Sequence, residues 1–274
     1  MSKYTVIGGN GFIGSHIVSL LREQGHDVTV PDRSTCEALD GHLGKVIYCA
    51  GNGDCVKSYF SVLEANTVLL ARLLQSAEFE KLVYISSTRV YMNNDSAEED
   101  NDLVITTDDN RKLFNLTKLV SEELCLKSER NVTVVRPSNV YGLALNSTLF
   151  LPSIIRHAIN NGEINMYVSP EYAKDYVSVN DVAKACIWLA ENTNTNNEIF
   201  NVASGFNVTA SEIADVIHRE TGCNVKWHDG NFPREEFPVT SIKKLSDHNP
   251  EFKPHHVLDD LKIMIASYKA ELAN

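Results

Sequence analysis

The chain has 274 residues, 43% of them hydrophobic and 22% charged, enough to bury a sizeable core in one large domain or in a main domain with a smaller lobe. A net charge of −11 with no basic stripe argues against nonspecific nucleic-acid binding and leaves at most a local basic pocket for phosphates. No apolar run is long enough to cross a bilayer, and the first apolar run begins too close to Met1 for a signal peptide, so a cytoplasmic protein with no membrane partner is expected.

Tyr4-Thr5-Val6-Ile7 predicts an opening strand, and Gly8-Gly9-Asn10-Gly11-Phe12-Ile13-Gly14 follows it directly. A helix with Ile13, Ile17, Leu20 and Leu21 on its apolar face comes next. In a dinucleotide site the three glycines have separate tasks: Gly8 turns the chain, Gly11 lets backbone approach a pyrophosphate, and Gly14 lets the helix pack on the sheet. The first helical turn, with Phe12 and Ile13, then aims its amides at the phosphates. A second strand, Asp27 to Val30, leads to Asp32, about 20 residues after the glycines, where a carboxylate accepts hydrogen bonds from the adenosine ribose and repels a 2′-phosphate. NAD is therefore favoured. Arg33 is either a solvated loop residue or a guanidinium able to hold that phosphate, which leaves NADP open.

The strand and helix pattern repeats. Lys45 to Ala50 reads as a buried strand that brings Ala50 and Gly51 to the coenzyme, and Tyr59 to Ala77 as a long helix. The strand Lys81 to Ser86 precedes a polar, acidic loop over Asn93 to Asn110, and a helix over Lys112 to Lys127 leads to the strand Val132 to Val135, with Pro137 beside the coenzyme. Alternation of this kind predicts an α/β fold with a doubly wound parallel (Rossmann) sheet and ligands at the strands' carboxyl ends. The interval from Asp32 to Val46 is too short for the usual further strand and helix, so one crossover is trimmed.

Past Gly142 the signals change to helices with weaker strands: Leu151 to Asn160, Asn180 to Glu191, Thr209 to Thr221 and Leu258 to Ala273. This gives a dinucleotide-binding domain over 1–142, with later segments interleaved, and a smaller, mainly substrate-binding lobe over 143–274. Asn192 to Asn197 reads as a plain surface turn. The six cysteines are scattered without a CxxC pair, and no two histidines share a helix face, so reduced structural thiols and no metal are expected.

Several ordered motifs carry a resemblance: the glycine turn, Ser86-Ser87-Thr88-Arg89-Val90-Tyr91 after a strand, Thr117-Lys118 on a helix, and Arg136-Pro137-Ser138-Asn139-Val140-Tyr141-Gly142. Lys174-Asp175-Tyr176-Val177-Ser178-Val179-Asn180-Asp181 and Phe200-Asn201-Val202 extend it. Over nearly its whole length the chain resembles the extended short-chain dehydrogenase/reductase family, particularly its nucleotide-sugar epimerases, dehydratases and reductases. That resemblance implies an NAD(P)-dependent enzyme acting on a nucleoside-diphosphate sugar. It also implies a homodimer that pairs the helices at Tyr59 to Ala77 and Lys112 to Lys127. Ser87 would hold the reacting oxygen and Lys118 the nicotinamide ribose. Thr88 would touch the substrate, while Asn139, Lys174 (where relatives place an arginine) and Arg234 would meet the diphosphate.

One departure outweighs the matches. The family's catalytic tyrosine stands four residues before the lysine, so that both lie on one helix face and the ammonium lowers the phenol pKa. Here that place holds Phe114, which keeps the ring and loses the proton-transferring hydroxyl. Three readings stand: a natural member that has lost or rerouted the step, a deliberate Tyr→Phe replacement, which is slightly favoured, and an ordinary core aromatic. Thr88 and Arg89 occupy the positions where relatives that dehydrate carry an acidic pair and those that decarboxylate carry a glutamate. Epimerisation or reduction of a 4-keto sugar therefore fits better than 4,6-dehydration. From another class, a non-catalytic NAD(P)-binding sensor is the alternative.

Overall fold

A computed structural model describes residues 1–32, 41–144, 147, 149–230, 232 and 235–272, so Arg33 and Arg234 lie outside the described residues. Five parallel strands open the fold: β1 (Lys3–Ile7), β2 (Asp27–Thr29), β3 (Lys45–Tyr48), β4 (Lys81–Ile85) and β5 (Val132–Pro137). With β9 (Glu198–Val202) they form a six-stranded sheet in the order β2-β1-β3-β4-β5-β9. The register runs through Tyr4↔Lys45, Lys45↔Lys81 and Leu82↔Val132.

Alternation along each strand sends side chains to two cores. Tyr4, Val6, Ile47, Val83, Ile85 and Val135 face α1 (Phe12–Glu23) and α6 (Val179–Glu191). Ile7, Val46, Tyr48, Leu82, Tyr84 and Val134 face α3 (Leu69–Ser76) and α4 (Lys112–Lys127). Both faces are covered, which explains why the strands read as unbroken apolar runs rather than as alternating ones.

The predicted helix from Tyr59 to Ala77 is continuous but not uniform: α2 (Tyr59–Leu63) passes through a π-helical turn at Glu64–Val68 before α3. That wider turn frees backbone carbonyls inside the helix. Ala65 O accepts from the Tyr48 hydroxyl at 2.6 Å, and Asn66 O accepts from Ser121 at 2.7 Å and Tyr84 at 3.3 Å.

Beyond Tyr141 the chain builds a second body around its own apolar cluster. It uses α5 (Phe150–Asn161), α7 (Ala210–Thr221) and α9 (Val257–Leu272). A three-stranded sheet joins β6 (Asn139–Tyr141), β8 (Ala173–Ser178) and β10 (Asn207–Thr209), and a parallel pair joins β7 (Glu163–Met166) to β11 (Asn224–Trp227). A short helix α8 (Lys243–His248) packs on β9.

The segment expected to be a plain surface turn is partly interior. Thr195 is fully buried, and the Lys81 ammonium donates to its hydroxyl at 2.8 Å and to the Asn192 carbonyl. Fixing a buried strand lysine is what this turn does, and its polar composition hid that role. Among the described residues no helix is long and apolar enough to cross a membrane, and no group of three or more His, Cys, Asp or Glu is placed to hold a metal. Cys49, Cys55, Cys125, Cys186 and Cys223 carry free thiols.

Candidate active site

Two confluent cavities lie along the carboxyl ends of the main sheet, and Gly51 lines both. The smaller, about 360 Å³, is walled by Gly8, Gly9, Asn10, Asp32, Ala50 and Asn52. Its backbone is tight. Gly8 has φ +78°, and a Cβ there would stand 2.7 Å from Ala50 N. A Cβ on Gly14 would stand 2.3 Å from Gly8 O, so the helix and turn meet at backbone contact. No side chain caps the start of α1 at Gly11, which leaves its first-turn amides open to an anion. This cradle fits a dinucleotide, with Asp32 on its wall.

The larger cavity, about 650 Å³, begins at Gly11, Phe12, Ile13 and Gly14 and continues past Ser87, Thr88 and Asn139 to Lys174. Sequence candidates from five separate segments thus share one space. Pro137 is buried in β5 and does not line either cavity. Ser87 ends β4's extension into a 3₁₀ turn, Thr88–Tyr91, where its Oγ accepts from Arg89 N at 3.1 Å.

On α4, Phe114 and Lys118 turn to the same side. The Lys118 ammonium stands 5.7 Å from the Phe114 ring centroid and 5.0 Å from that of Tyr84. It is 4% exposed, donates to Ile85 O at 2.8 Å, and would touch a Cβ on Gly51 at 3.4 Å. Burial pushes its pKa down to about 8, with Glu122 pulling weakly the other way. Phe114 itself does not line the cavity wall; its ring edge faces Gly53.

Beneath Ser87 runs a buried polar floor. Glu122 accepts from Ser86 and from Arg136 at 3.1 and 2.6 Å, and Arg136 also donates to the Tyr91 hydroxyl at 2.6 Å. Tyr91 passes the chain on to Asn201 at 2.9 Å. Every member has a partner, so the floor holds the Ser87 segment rigidly.

The far end of the larger cavity sets Arg89 and Lys174, both named from the sequence, against carboxylates that the sequence alone did not single out. Arg89 is buried and ion-paired to Asp109 at 2.7 Å and Glu235 at 3.1 Å. Lys174 lies 3.6 Å from Glu235 and over the rings of Tyr172 and Phe237. Burial lowers the Lys174 pKa. Asn139 donates to Asp175 O at 2.8 Å. Arg111 also lines this cavity, its guanidinium 4.9 Å from the Phe114 ring centroid. Asp109 and Arg111 fall in and just after a loop read only as polar and acidic. Asn66, which accepts from Asn52 N at 3.0 Å and donates to its carbonyl at 3.1 Å, sits in a π turn with no sequence signal.

A doubly wound parallel sheet whose glycine turn opens, uncapped, onto cavities at the strands' carboxyl ends defines a Rossmann-type dinucleotide-binding protein. More narrowly, the model of the NAD dependent epimerase/dehydratase family matches residues 4–203, and the chain belongs to that family. It is 25% identical to a UDP-N-acetyl-alpha-D-glucosaminuronate decarboxylase of Bacillus cytotoxicus, over 89% of this chain and 92% of that protein. It is 26% identical to a putative UDP-glucose 4-epimerase of Methanocaldococcus jannaschii, over 79% of this chain and 82% of that one. The fold matches the structure of MoeE5 in complex with UDP-glucose and NAD at TM-score 0.82 and 21% identity, covering 98% and 99% of the two chains.

Proposed function

We propose that the chain is an NAD-dependent nucleotide-sugar epimerase or 4-keto-sugar reductase whose proton-transferring phenol is replaced by Phe114. The observation that carries this reading is the meeting of two cavities at Gly51, one of them beginning at the uncapped first turn of α1, with the buried Lys118 ammonium 3.4 Å from where a Gly51 Cβ would stand. NAD would lie with its adenosine at Asp32 and its pyrophosphate at the Gly11 to Gly14 turn. When bound it accepts or returns a hydride at a sugar carbon.

The remaining work belongs to the protein. Lys118 holds the nicotinamide ribose and places positive charge beside position 114. Ser87 orients the reacting oxygen. Asn139 and Lys174 bind the diphosphate, Lys174 as a point charge rather than a bidentate fork. In the lobe formed mainly by 143–274, the walls around Tyr172 and Phe237 enclose the nucleotide end. With phenylalanine at 114 the proton of the reacting sugar hydroxyl has no phenol to travel through, and the serine hydroxyl is too weak an acid to serve alone. Thr88 and Arg89 supply neither the acid nor the base that elimination of water requires, which favours epimerisation or reduction.

A redox-state sensor is the second reading, and Phe114 is the observation that favours it. Calorimetry with NAD, then with UDP-, dTDP-, GDP- and CDP-sugars on the NAD complex, separates the two. Heat with a sugar nucleotide supports the enzyme; heat with the dinucleotide alone supports the sensor. We further propose a homodimer. Tyr59, Phe60 and Leu63 of α2 and Leu116, Val120 and Leu124 of α4 are exposed on two helices that pack together, an apolar face larger than one subunit uses.

A further inference from the structure

Cations on the wall of the larger cavity differ in one respect. Arg89 is matched by Asp109 and Glu235, and Lys174 lies near Glu235. Among the described residues the Arg111 guanidinium has no carboxylate within ion-pair distance and no hydrogen-bond acceptor; its neighbours are the Phe114 ring at 4.9 Å and Gly53. It is only partly exposed, and burial and Arg89 both weigh against its charge. Asp109 and Glu235 favour its charge from beyond ion-pair distance, but neither meets its planar fork, which suits a carboxylate or a phosphate.

Its location limits which anion it can meet. Arg111 packs on Phe114, one helical turn before Lys118, and so lies on the side of the cavity nearest the proposed reacting position; Lys174, near enough to feel the Arg111 charge, stands among Tyr172 and Phe237. A diphosphate on Lys174 and Asn139 leaves Arg111 for the sugar. We infer that Arg111 is a specificity residue for an acidic sugar: the substrate carries a carboxylate on its hexose ring, paired with the Arg111 fork. This rests on the nucleotide-sugar reading above and narrows it to hexuronates. A protein of net charge −11 needs such a local counter-charge to accept a substrate bearing a third negative group.

Because Phe114 blunts turnover, the test is binding to the NAD complex by calorimetry. UDP-glucuronate and UDP-glucose differ only at C6, and both are titrated against the unchanged protein, Arg111→Gln and Arg111→Lys. A uronate preference of about tenfold or more is expected, collapsing to near unity in R111Q and partly kept in R111K, which retains the charge without the fork. Equal affinity for the two ligands in the unchanged protein overturns the inference while leaving the nucleotide-sugar reading standing. So does a preference that survives in R111Q, or an equal loss for both ligands, which would assign Arg111 to the diphosphate. Heat from neither ligand, nor from their dTDP, GDP or CDP counterparts, removes both readings together. Retained NAD affinity and an unchanged melting temperature in each variant establish that it is folded.

Discussion

The proposed chemistry turns on position 114. Its ring packs between Arg111 and Lys118, so restoring one hydroxyl there needs little rearrangement. Phe114→Tyr is expected to raise turnover of a bound nucleotide sugar by about 10²- to 10⁴-fold, the usual worth of a positioned acid or base. Stopped-flow reduction of NAD at 340 nm checks it, and equal rates for the two proteins would remove the assignment. Lys118 gives a second measurable consequence. It loses its proton near pH 8 when folded and near 10.5 when unfolded, so between those values the unfolded chain binds more protons and stability rises with pH. Below pH 8 both states are protonated and the contribution is flat. Against Lys118→Met, which lacks this titration, the stability difference should therefore shift by on the order of 2–3 kcal/mol in favour of the lysine form across that window, measured by urea denaturation.

Among the elements, the glycine turn is the least tolerant of change. Gly14→Ala would drive a Cβ to 2.3 Å from Gly8 O, moving α1 off the turn. NAD affinity is expected to fall by at least about tenfold, with a loss of roughly 1–3 kcal/mol in stability from overpacking. Titration calorimetry and thermal melting report the two effects separately. This turn, the first five strands and α4 were legible in the sequence because buried parallel strands and amphipathic helices leave strong periodic signals. The strands β6 to β11 were not. Asn139–Tyr141 and Asn207–Thr209 are three residues long and open on asparagine, so pairing across the chain creates them rather than local preference. Around the cavity, the order of motifs along the chain and the resemblance they carry single out Ser87, Phe114 and Lys118, of which Ser87 lines the wall and the other two lie behind it. Arg111, Asp109 and Glu235 were missed because their meeting depends on how two loops fold over the cavity, which no spacing encodes.

For the molecule as a whole, the exposed apolar residues of α2 and α4 form the proposed subunit contact. Leu63→Glu combined with Val120→Glu is expected to halve the mass measured by light scattering while leaving the far-ultraviolet circular dichroism intact, because both side chains are surface groups. A chain that is already monomeric would end the dimer proposal. The same helix reaches inward as well as outward. Its π turn holds one extra residue, so removing one of Glu64 to Val68 would close it to an ordinary α-turn and leave the later side chains in phase. Leu69, Leu70, Leu73 and Leu74 would stay on the sheet, while the carbonyls of Ala65 and Asn66 would return to the helix ladder and release Tyr48, Tyr84 and Ser121. A single codon's loss in this stretch, far from the glycine turn in sequence, would thus loosen the wall of the smaller cavity, where Glu64 and Ala65 stand, without changing any residue that lines the Ser87 cavity.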